Sequence, residues 1–583
     1  MLGKMKILRR NRLLVLIIFI ILAASLLVSR DLFRSGYFPM HDDVQIMRLY
    51  EMEKCFKDGQ IPCRWVPDMG AGFGHPLFNF HQVFPYYLGM VFRFFGLSFI
   101  NTAKALFFLT FIVSGLAIYL LAKELWGKEA GLVASILFLF VPYRAVDVYV
   151  RGALTEIWGV TFFPLIFLSL YKFVKENKFR WFLASILSLV GLFLSHNIMT
   201  VLFTPLAAIW ALFWWLKLRK KTFPLRVLAV FLWAFGIAAF FLLPAFFEKS
   251  LVTMSSSTTG YYDFQNHFVT VKQLFFDRFW GYGGSVFGQQ DEMSFQIGWP
   301  HWLIAAFGGM VVVGFYLNYL KAIFKRRLKL KEMGDVLLMT LLFVFWLTAI
   351  FFTHAKSFFV WASLPILKYV QFPWRFLGLA MFFNALLAAG FLSFFRGKKF
   401  FQAIILICLA VAVVMNVGYF RPLKIMKIND NDILSGKEWR RQSMTTLLDY
   451  YPTGVKLIPQ EMASESPAVA LGRATITNFQ KFSSRWQFEA EVETPTAQVI
   501  LPIFNFPVWE IFVDGWEIDY STDSQLGLIL VDLPPGEHYI RGNLVNTPLR
   551  EAANKVSLIS LFALTGLGLL KLYRYAKISR KKL

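Results

Sequence analysis

Long uninterrupted apolar runs limit what this chain can fold into more than any other feature of its sequence. Residues 13–28 read LLVLIIFIILAASLLV, and residues 337–352 read LLMTLLFVFWLTAIFF. Each run approaches the roughly 20 apolar residues that a helix needs to cross a bilayer. Only 16% of the 583 residues are charged, whereas soluble domains carry about 25%. The sequence therefore predicts a polytopic α-helical membrane protein.

The net charge of +24 at pH 7 comes from short basic segments between these runs, such as MLGKMKILRRNR, KLRKKTFPLR and KAIFKRRLKLK. Membrane proteins hold such segments in the cytoplasm, which orients the whole chain. A nucleic-acid surface would instead be a basic stripe interleaved with exposed aromatic side chains. The charge pattern thus predicts membrane topology, with membrane lipid as a partner and no nucleic acid.

Windowed hydropathy predicts about twelve membrane-spanning helices. With the basic segments inside, both termini are cytoplasmic, and a first outer loop (30–100), a second outer loop (248–299) and residues 419–552 lie outside. No small-residue cleavage site follows the first span, so we expect it to remain as an anchor. The predicted domains are a membrane domain (1–418), an extracytoplasmic domain (419–552) and a last helix with a basic tail (553–583). The predicted spans are residues 11–29, 103–122, 129–143, 153–173, 180–196, 197–216, 227–247, 300–320, 334–353, 373–395, 400–418 and 554–573.

Residues 419–552 have a different pattern. Between Arg473 and Val545, apolar and polar residues alternate in short runs such as RWQFEAEVE and LGLILVDL, separated by turn residues that include Asp514-Gly515. Such alternation predicts half-buried antiparallel strands, and hence a C-terminal extracytoplasmic β-sandwich. The sequence leaves open whether this domain binds a carbohydrate or other partner, or is a structural cap.

The first outer loop carries the densest polar chemistry of the chain. Its adjacent carboxylates, Asp42 and Asp43, fit three roles: a general base, a metal ligand, or the N-cap of the helix predicted to follow them. Polar residues of this kind beside a membrane indicate a binding or reaction site. The further candidate binding residues of this loop are His41, Arg48, His75 and His81.

Three further clusters lie at the predicted outer ends of spans. Arg144, Asp147 and Arg151 have i, i+3, i+7 spacing, which places them on one helical face. Two guanidiniums held by a carboxylate could bind a lipid phosphate, or form an interfacial ion pair. Glu156 enters the next span, where a carboxylate is costly unless it is paired or functional. The other two clusters contribute His196 and Arg375.

Several chemistries have no motif in the chain. HExxH and paired CxxC motifs for zinc, a Walker A sequence and a Rossmann glycine fingerprint are all absent from the sequence. No cofactor or metal ligand is identified, and a divalent cation is left open. Cys55 and Cys63 share the first outer loop and could form a disulfide in an oxidising compartment, a pairing that the sequence leaves open. The eight histidines all fall on or near the predicted outer face: His41, His75, His81, His196, His267, His301, His354 and His538.

The motifs MHDDVQ, PYRAVDVYVRGALTE, LSHN and FPWRFLG occur in this order. In this the chain resembles the bacterial and archaeal membrane proteins named 6-pyruvoyl-tetrahydropterin synthase-related, a name that implies no pterin chemistry here. That family resembles the GT-C glycosyltransferases, multi-span enzymes with catalytic acids in the first outer loop. The resemblance implies a GT-C-like fold in the plasma membrane. For the second acidic motif of GT-C enzymes, the chain offers only Asp263, Asp277 and Asp291-Glu292.

The resemblance implies transfer of a sugar from a polyprenyl-phosphate donor to a glycan or protein acceptor at the outer face. Asp42, or else Asp43, would be the general base, and Arg144, Arg151 and Arg375 would stabilise the leaving phosphate. Two alternatives remain from the sequence: a lipid or glycan translocase, and a non-catalytic scaffold for envelope assembly that presents residues 419–552.

Overall fold

The computed structural model describes residues 2–219, 223–254, 258–286, 291–324, 333–395, 399–445 and 450–580. The chain divides into two compact units. The first unit comprises residues 1–43, 100–228 and 258–428, and the second comprises residues 44–99, 229–257 and 429–583. Each of the three outer segments predicted from the sequence is therefore divided between the two units.

Helices dominate both units because apolar runs this long must satisfy their backbone hydrogen bonds internally in lipid. In the described residues, eight helices are long and apolar enough to cross a membrane, or nine if one bent pair is a single span. The helices are α1 (Leu2–Val28), α2 (Gln45–Lys57), α3 (Leu77–Phe80), α4 (Phe84–Phe94), α5 (Phe99–Trp126), α6 (Lys128–Leu139), α7 (Pro142–Ala145), α8 (Leu154–Glu176), α9 (Phe179–Ser195), α10 (Asn197–Leu218), α11 (Phe223–Phe247), α12 (Trp299–Phe324), α13 (Met333–Thr353), α14 (Phe358–Ser363), α15 (Leu377–Ser393), α16 (Lys399–Asn416), α17 (Asp430–Ile433), α18 (Gly436–Met444) and α19 (Pro548–Arg580).

A helix occupies each of the predicted spans. Besides the eight long helices and the bent pair of α6 and α7, three shorter apolar helices cover residues 13–28, 179–195 and 403–419. The polytopic helical class is therefore confirmed, and the number of twelve spans stays a prediction. The bend of 49° between α6 and residues 142–150 was not predicted.

The core of the first unit is built on aromatic side chains that helical spacing brings to one face. Helix α15 is buried along nearly its whole length. Its Phe382 contacts Phe163 and Phe167 of α8 and Phe203 of α10. The rings of Phe163 and Phe203 stack at 3.8 Å. These contacts fix α8, α10 and α15, which carry three of the predicted site residues at or near their N-terminal ends.

The second unit contains the predicted strands, arranged as an antiparallel sheet domain. Alternation along β3 buries Trp486, Phe488, Ala490 and Val492 and leaves the intervening residues outward. One sheet has the order β1-β4-β8-β7 and the other β2-β3-β9-β5-β6. The strands are β1 (Ala468–Leu471), β2 (Ala474–Lys481), β3 (Arg485–Val492), β4 (Ala497–Phe504), β5 (Trp509–Val513), β6 (Trp516–Ile518), β7 (Ser521–Thr522), β8 (Leu528–Leu533) and β9 (Gly536–Leu544).

The predicted turn at Asp514-Gly515 joins β5 to β6. Both residues have positive φ, 53° and 93°, as a two-residue hairpin turn of type I′ requires. The Asp514 carboxylate accepts hydrogen bonds from the Tyr539 backbone N–H and from His538 Nδ1. The turn is thereby fixed to the neighbouring strand β9.

The hydrophobic core of the sandwich includes part of the first outer loop. Trp65, Ala71, Phe73 and Phe80 lie in the same buried cluster as the inward side chains of both sheets. The Phe504 backbone N–H donates to the carbonyl oxygen of Phe73 over 2.9 Å. These two parts of the second unit, which are far apart in sequence, therefore fold around one core.

A buried polar cluster fixes the loop to two helices of the second unit. Glu248, at the end of α11, accepts hydrogen bonds from Asn79 and from Arg550 of α19, each over 2.8 Å. Arg64 donates to the side-chain oxygens of Asn79 and Asn554. Cys55 and Cys63 are joined by a disulfide, which settles the pairing that the sequence left open.

Candidate functional site

The first outer loop enters the site of the first unit through backbone pairing. The His41 N–H donates to the Val150 carbonyl over 3.0 Å, and the Asp42 N–H donates to the Arg151 carbonyl over 2.8 Å. Gly152 follows with φ of +64°, and a Cβ built on it would lie 2.0 Å from Met40 Sδ. Only glycine tolerates both conditions, so the sequence Arg151-Gly152 permits the close approach of the loop that carries Asp42.

The segment that receives this loop is a broken helix. Pro142 begins α7, which suits a residue without a backbone N–H. The chain then forms a π turn over residues 146–150, and the Ala153 N–H returns to the Asp147 carbonyl over 2.8 Å. The i, i+3, i+7 spacing predicted that Arg144, Asp147 and Arg151 would lie on one helical face. Because of the π turn, Arg144 instead has different partners from Asp147 and Arg151.

A buried cluster of charges forms around Arg151. Its guanidinium pairs with Asp147, and its Nη2 donates to Glu156 Oε2 over 2.7 Å. Arg375 Nε lies 3.5 Å from the same Glu156 oxygen, and His196 Nε2 lies 3.9 Å from it. The structure thus brings together five residues that the sequence predicted as site residues: Asp147, Arg151, Glu156, His196 and Arg375. Glu156 is the centre of the cluster, and its position inside a helix is explained by these partners.

Tyr143 completes the cluster. Its hydroxyl accepts from Arg151 Nη1 over 3.2 Å and donates to Glu156 Oε1 over 3.3 Å. Both oxygens of Glu156 are therefore occupied. His196 is the N-cap of α10, where its Nδ1 accepts from the Met199 N–H over 3.1 Å. Since Nδ1 accepts, the neutral ring carries its proton on Nε2, the nitrogen nearest Glu156.

Arg144 has a separate, fully buried environment. Its Nη1 donates to Ser114 Oγ over 2.7 Å, and its Nη2 donates to the Thr110 carbonyl over 3.2 Å. The guanidinium lies 4.9 Å from the ring of Phe111 and 4.8 Å from that of Phe138. These contacts fix the broken helix to α5 and α6.

Asp42 and Asp43 are half-buried, and the structure corrects one interpretation of them. The N-cap position of α2 is Val44, whose side chain makes no capping hydrogen bond. The N-cap alternative for either aspartate is therefore wrong. His41 Nε2 lies 2.9 Å from the backbone carbonyl oxygen of Tyr282, so the second outer loop contacts the residue that precedes Asp42.

The remaining predicted residues belong to the second unit. Arg48 Nη1 donates to the Tyr86 hydroxyl over 3.3 Å, and His81 Nε2 lies 3.3 Å from the same oxygen. Tyr86 in turn donates to Gln45 over 2.7 Å. The structure thus brings Arg48 and His81 to one buried tyrosine. His75 is fully buried elsewhere in this unit, beside the rings of two tyrosines, Tyr450 and Tyr451.

Residues 78–423, more than half of the chain, match the family model described as 6-pyruvoyl-tetrahydropterin synthase related domain, membrane protein. The chain belongs to this family. An uncharacterised protein of Lactococcus lactis is 26% identical over 235 residues, which is 39% of this chain and 38% of that protein. The family resemblance drawn from the motifs is therefore confirmed.

Two solved structures are similar to the chain. The mycobacterial arabinofuranosyltransferase AftD has a TM-score of 0.45 and 14% identity over 70% of this chain and 27% of its own length. The Archaeoglobus fulgidus oligosaccharyltransferase, solved with zinc and sulfate, has a TM-score of 0.37 and 14% identity over 70% of this chain and 53% of its own. The chain spans well under two thirds of the length of each of these relatives.

In the described part of this family member, no group of three or more histidine, cysteine, aspartate or glutamate side chains could hold a metal ion. Of the acidic candidates in the second outer loop, Asp291 is largely buried and accepts from Gln273 and from the Val286 N–H. Asp263 accepts from the Gln265 N–H beside it. These contacts give both aspartates local structural roles.

The sequence assigned no role to Tyr143, nor to three residues linked to Arg151: Trp374, whose ring lies 4.5 Å from the Arg151 guanidinium, Ser285, which accepts a hydrogen bond from Trp374, and His267, which lies 2.9 Å from Ser285. Tyr143 and Trp374 adjoin predicted residues and were quoted within their motifs. His267 was noted only as one of the histidines at the outer face. Ser285 has no signal in the sequence, because a single serine in a polar loop is unremarkable until its partners are known.

Proposed function

We propose that this protein is a membrane glycosyltransferase that moves a sugar from a polyprenyl-phosphate donor to an acceptor hydroxyl at the outer face of the membrane. The observation that carries the proposal is the pairing of the Asp42 N–H with the Arg151 carbonyl, over 2.8 Å. This pairing brings the backbone of Asp42, whose side chain is half-buried, to Arg151 of the buried charge cluster. A base next to cationic groups is what glycosyl transfer from a phosphate donor requires.

Arg375 is the best-placed group for the donor phosphate. In the described part of the chain, its hydrogen bonds to the Val370 carbonyl and to Gln371 are both made by Nη1. Its side chain retains 12% exposure. Nη2 is therefore left for a ligand, and a guanidinium binds phosphate oxygens with charge-assisted hydrogen bonds.

Arg151 supports the phosphate as the second cation of the cluster. It is 8% exposed, whereas Arg144 is 0% exposed and is bonded to Ser114 and Thr110. We therefore assign the phosphate to Arg375 and Arg151, and we assign Arg144 to the support of the broken helix. His41 would accompany Asp42 in contact with the acceptor.

In the proposed reaction, Asp42 removes the proton from the acceptor hydroxyl as the new bond forms between that oxygen and the anomeric carbon. The bond between the anomeric carbon and the phosphate oxygen breaks, and its electron pair goes to the phosphate. Arg375 and Arg151 stabilise the added negative charge. Products are a glycosylated acceptor, a polyprenyl phosphate and a protonated carboxyl that solvent deprotonates.

The test uses purified protein in lipid nanodiscs with radiolabelled polyprenyl-phosphate sugars, with and without candidate acceptors. We expect the wild-type protein to transfer label out of the lipid phase. Asp42→Asn should lower the rate about 10² to 10⁴-fold, the range that a positioned general base contributes. Asp43→Asn is the matched control, since it removes the same charge from the neighbouring residue.

The outcomes separate the two parts of the proposal. Transfer by Asp42→Asn at the wild-type rate would show that Asp42 is not the base. Loss with Asp43→Asn alone would move that role to the neighbour. No transfer by correctly folded wild-type protein with any of the donors would reject the glycosyltransferase function.

A further inference from the structure

The guanidinium groups of the two site arginines each contact one of two stacked aromatic rings. The guanidinium of Arg151 lies 4.5 Å from the ring centroid of Trp374, and that of Arg375 lies 4.9 Å from the centroid of Phe372. The rings of Phe372 and Trp374 are stacked on each other at 4.7 Å with 15° between their planes. A displacement of this ring pair would therefore move both guanidiniums.

The second outer loop fixes the ring pair through a chain of hydrogen bonds whose direction is determined. The indole Nε1 of Trp374 can only donate, and it reaches Ser285 Oγ over 2.9 Å. Ser285 is then free to donate its own proton to Nδ1 of His267, 2.9 Å away. The Nε2–H of His267 donates to the Tyr261 carbonyl, which can only accept.

All three linking side chains are shielded from water. His267 is 1% exposed, Ser285 3% and Trp374 3%. Burial lowers the pKa of His267 below its ordinary value, which agrees with the neutral ring that the chain of bonds requires. His267 also contacts Phe372 edge-on at 4.6 Å. Each ring of the pair therefore has a direct contact with Ser285 or His267.

We propose that Ser285 and His267 are positioning residues of the arginine pair. Through the rings of Trp374 and Phe372 they hold Arg151 and Arg375 in the arrangement that binds the phosphate of a polyprenyl-phosphate ligand. The inference rests on the proposed function, because it takes the phosphate to be the ligand of these arginines. It assigns to the second outer loop a role in phosphate binding that its sequence does not show.

The experiment measures the dissociation constant for a radiolabelled polyprenyl monophosphate, without a sugar, in nanodiscs. Ser285→Ala and Trp374→Phe both remove the hydrogen bond between these residues, the first by deleting its acceptor and the second by deleting its donor. We expect each to weaken binding about tenfold, the cost of one buried unsatisfied polar group. The double variant should bind no more weakly than Ser285→Ala, because Trp374→Phe then removes only a hydrogen bond that is already lost. Ser285→Thr keeps the hydroxyl and should restore wild-type binding.

Two matched controls remove comparable bonds outside the ring pair. Trp302→Phe removes an indole N–H that donates to the Phe275 carbonyl over 2.9 Å. Ser357→Ala removes a buried hydroxyl that donates to the His354 carbonyl over 2.8 Å. Both should leave the dissociation constant unchanged. Thermal unfolding of every variant shows whether a loss of binding is only a loss of folded protein.

Wild-type protein that binds the polyprenyl phosphate, with Ser285→Ala and Trp374→Phe binding equally well, would overturn the positioning role and leave the proposed function standing. The positioning role would also be overturned if these variants lowered the unfolding temperature without changing the dissociation constant. Wild-type protein that binds no polyprenyl phosphate would instead overturn the proposed function, and with it this inference.

Discussion

The backbone N–H of Asp42 donates to the carbonyl oxygen of Arg151 over 2.8 Å, although the two residues are far apart in the sequence. The contact is made by main-chain atoms and therefore persists when either side chain is replaced. Substitutions of Asp42 or Arg151 thus test chemistry without removing the bond that holds the loop. The bond does depend on the neighbouring Gly152, which permits the close approach of the loop.

Gly152→Ala should therefore disrupt the site. At its φ of +64°, an alanine costs about 1–2 kcal/mol for the left-handed backbone alone. The added Cβ would also meet Met40 Sδ at 2.0 Å. We expect a lower unfolding temperature and loss of polyprenyl-phosphate binding. Gly260→Ala is the control, since Gly260 has φ of +59° and no atom within 4 Å of its Cβ position. Equal effects of both changes would mean that the contact with Met40 is unimportant.

Glu156→Gln should be among the most destabilising single changes in the first unit. Glu156 is 1% exposed and lies near Arg151, Arg375 and His196. Removal of one partner from a buried ion pair leaves an uncompensated charge, which costs about 3–5 kcal/mol. Unfolding in detergent measures the effect. Glu551→Gln, in an exposed i, i+4 pair with Lys555, should change stability by less than about 0.5 kcal/mol. Comparable losses in both variants would contradict a special role for the buried cluster.

The sequence predicted the helices and the strands well because both follow from periodicity. Apolar runs located a helix at each predicted span, and alternation located β3 with its buried Trp486 and Phe488. The Asp514-Gly515 turn was predicted from residue chemistry alone. Each of these features depends on neighbours within a few residues, which is the range over which hydrophobic pattern and turn propensity act.

The sequence predicted some of the residues of the buried charge cluster, but not their arrangement. The cost of a carboxylate within a span pointed to Glu156, and polar groups at the predicted outer ends of spans pointed to Arg151, His196 and Arg375; the structure brings these four residues together. Their partners could not be predicted, since the π turn before Arg151 breaks the helical spacing that Arg144 was expected to follow. Sequence spacing also cannot show that residues 41–42 pair with residues 150–151, because the bonds use backbone atoms that every residue carries.

Alkylation should reveal one free thiol in the native protein and three after reduction. The chain has three cysteines, of which Cys55 and Cys63 are bonded and Cys408 is free. Closure of a loop with a sequence separation of 8 residues corresponds to about 2.5 kcal/mol in the chain-entropy treatment. Reduction or Cys63→Ser should thus destabilise the first outer loop, measured by its rate of proteolysis. Three thiols in protein isolated without reductant would contradict the bond.

Two glutamates of helix α2 should give opposite pH dependences of stability. Burial, followed by the neighbouring Asp68, raises the pKa of Glu51 well above its ordinary value. The folded protein then keeps a proton that the unfolded chain loses, so this contribution is full below pH 4.5 and is lost as pH rises through the raised pKa. Glu51→Gln should remove that decline in unfolding temperature.

Glu53, on the same helix, has the opposite sign. Burial opposes the shift, but hydrogen bonds from Arg93 and Lys57 lower the pKa of Glu53. Its stabilising contribution is therefore present above pH 4.5 and is lost as pH falls through the lowered pKa. Glu53→Gln should lower the unfolding temperature above pH 4.5 and flatten its fall on the acid side of the stability curve. If the unfolding temperatures of Glu51→Gln and Glu53→Gln changed with pH in the same way, neither pKa assignment would be correct.

Trp65→Ala should unfold the sandwich although Trp65 belongs to the first outer loop. Trp65 is 2% exposed, and its ring lies 5.7 Å from Phe506 and 6.0 Å from Trp509. Removal of a buried tryptophan side chain costs about 3–5 kcal/mol. Trp516→Ala is the control, because Trp516 is 80% exposed in the same unit. For the same reason a fragment of residues 419–552 should expose its core and bind a hydrophobic dye. A fragment that unfolds cooperatively by itself would show that the core of the sandwich is complete without the residues of the first outer loop.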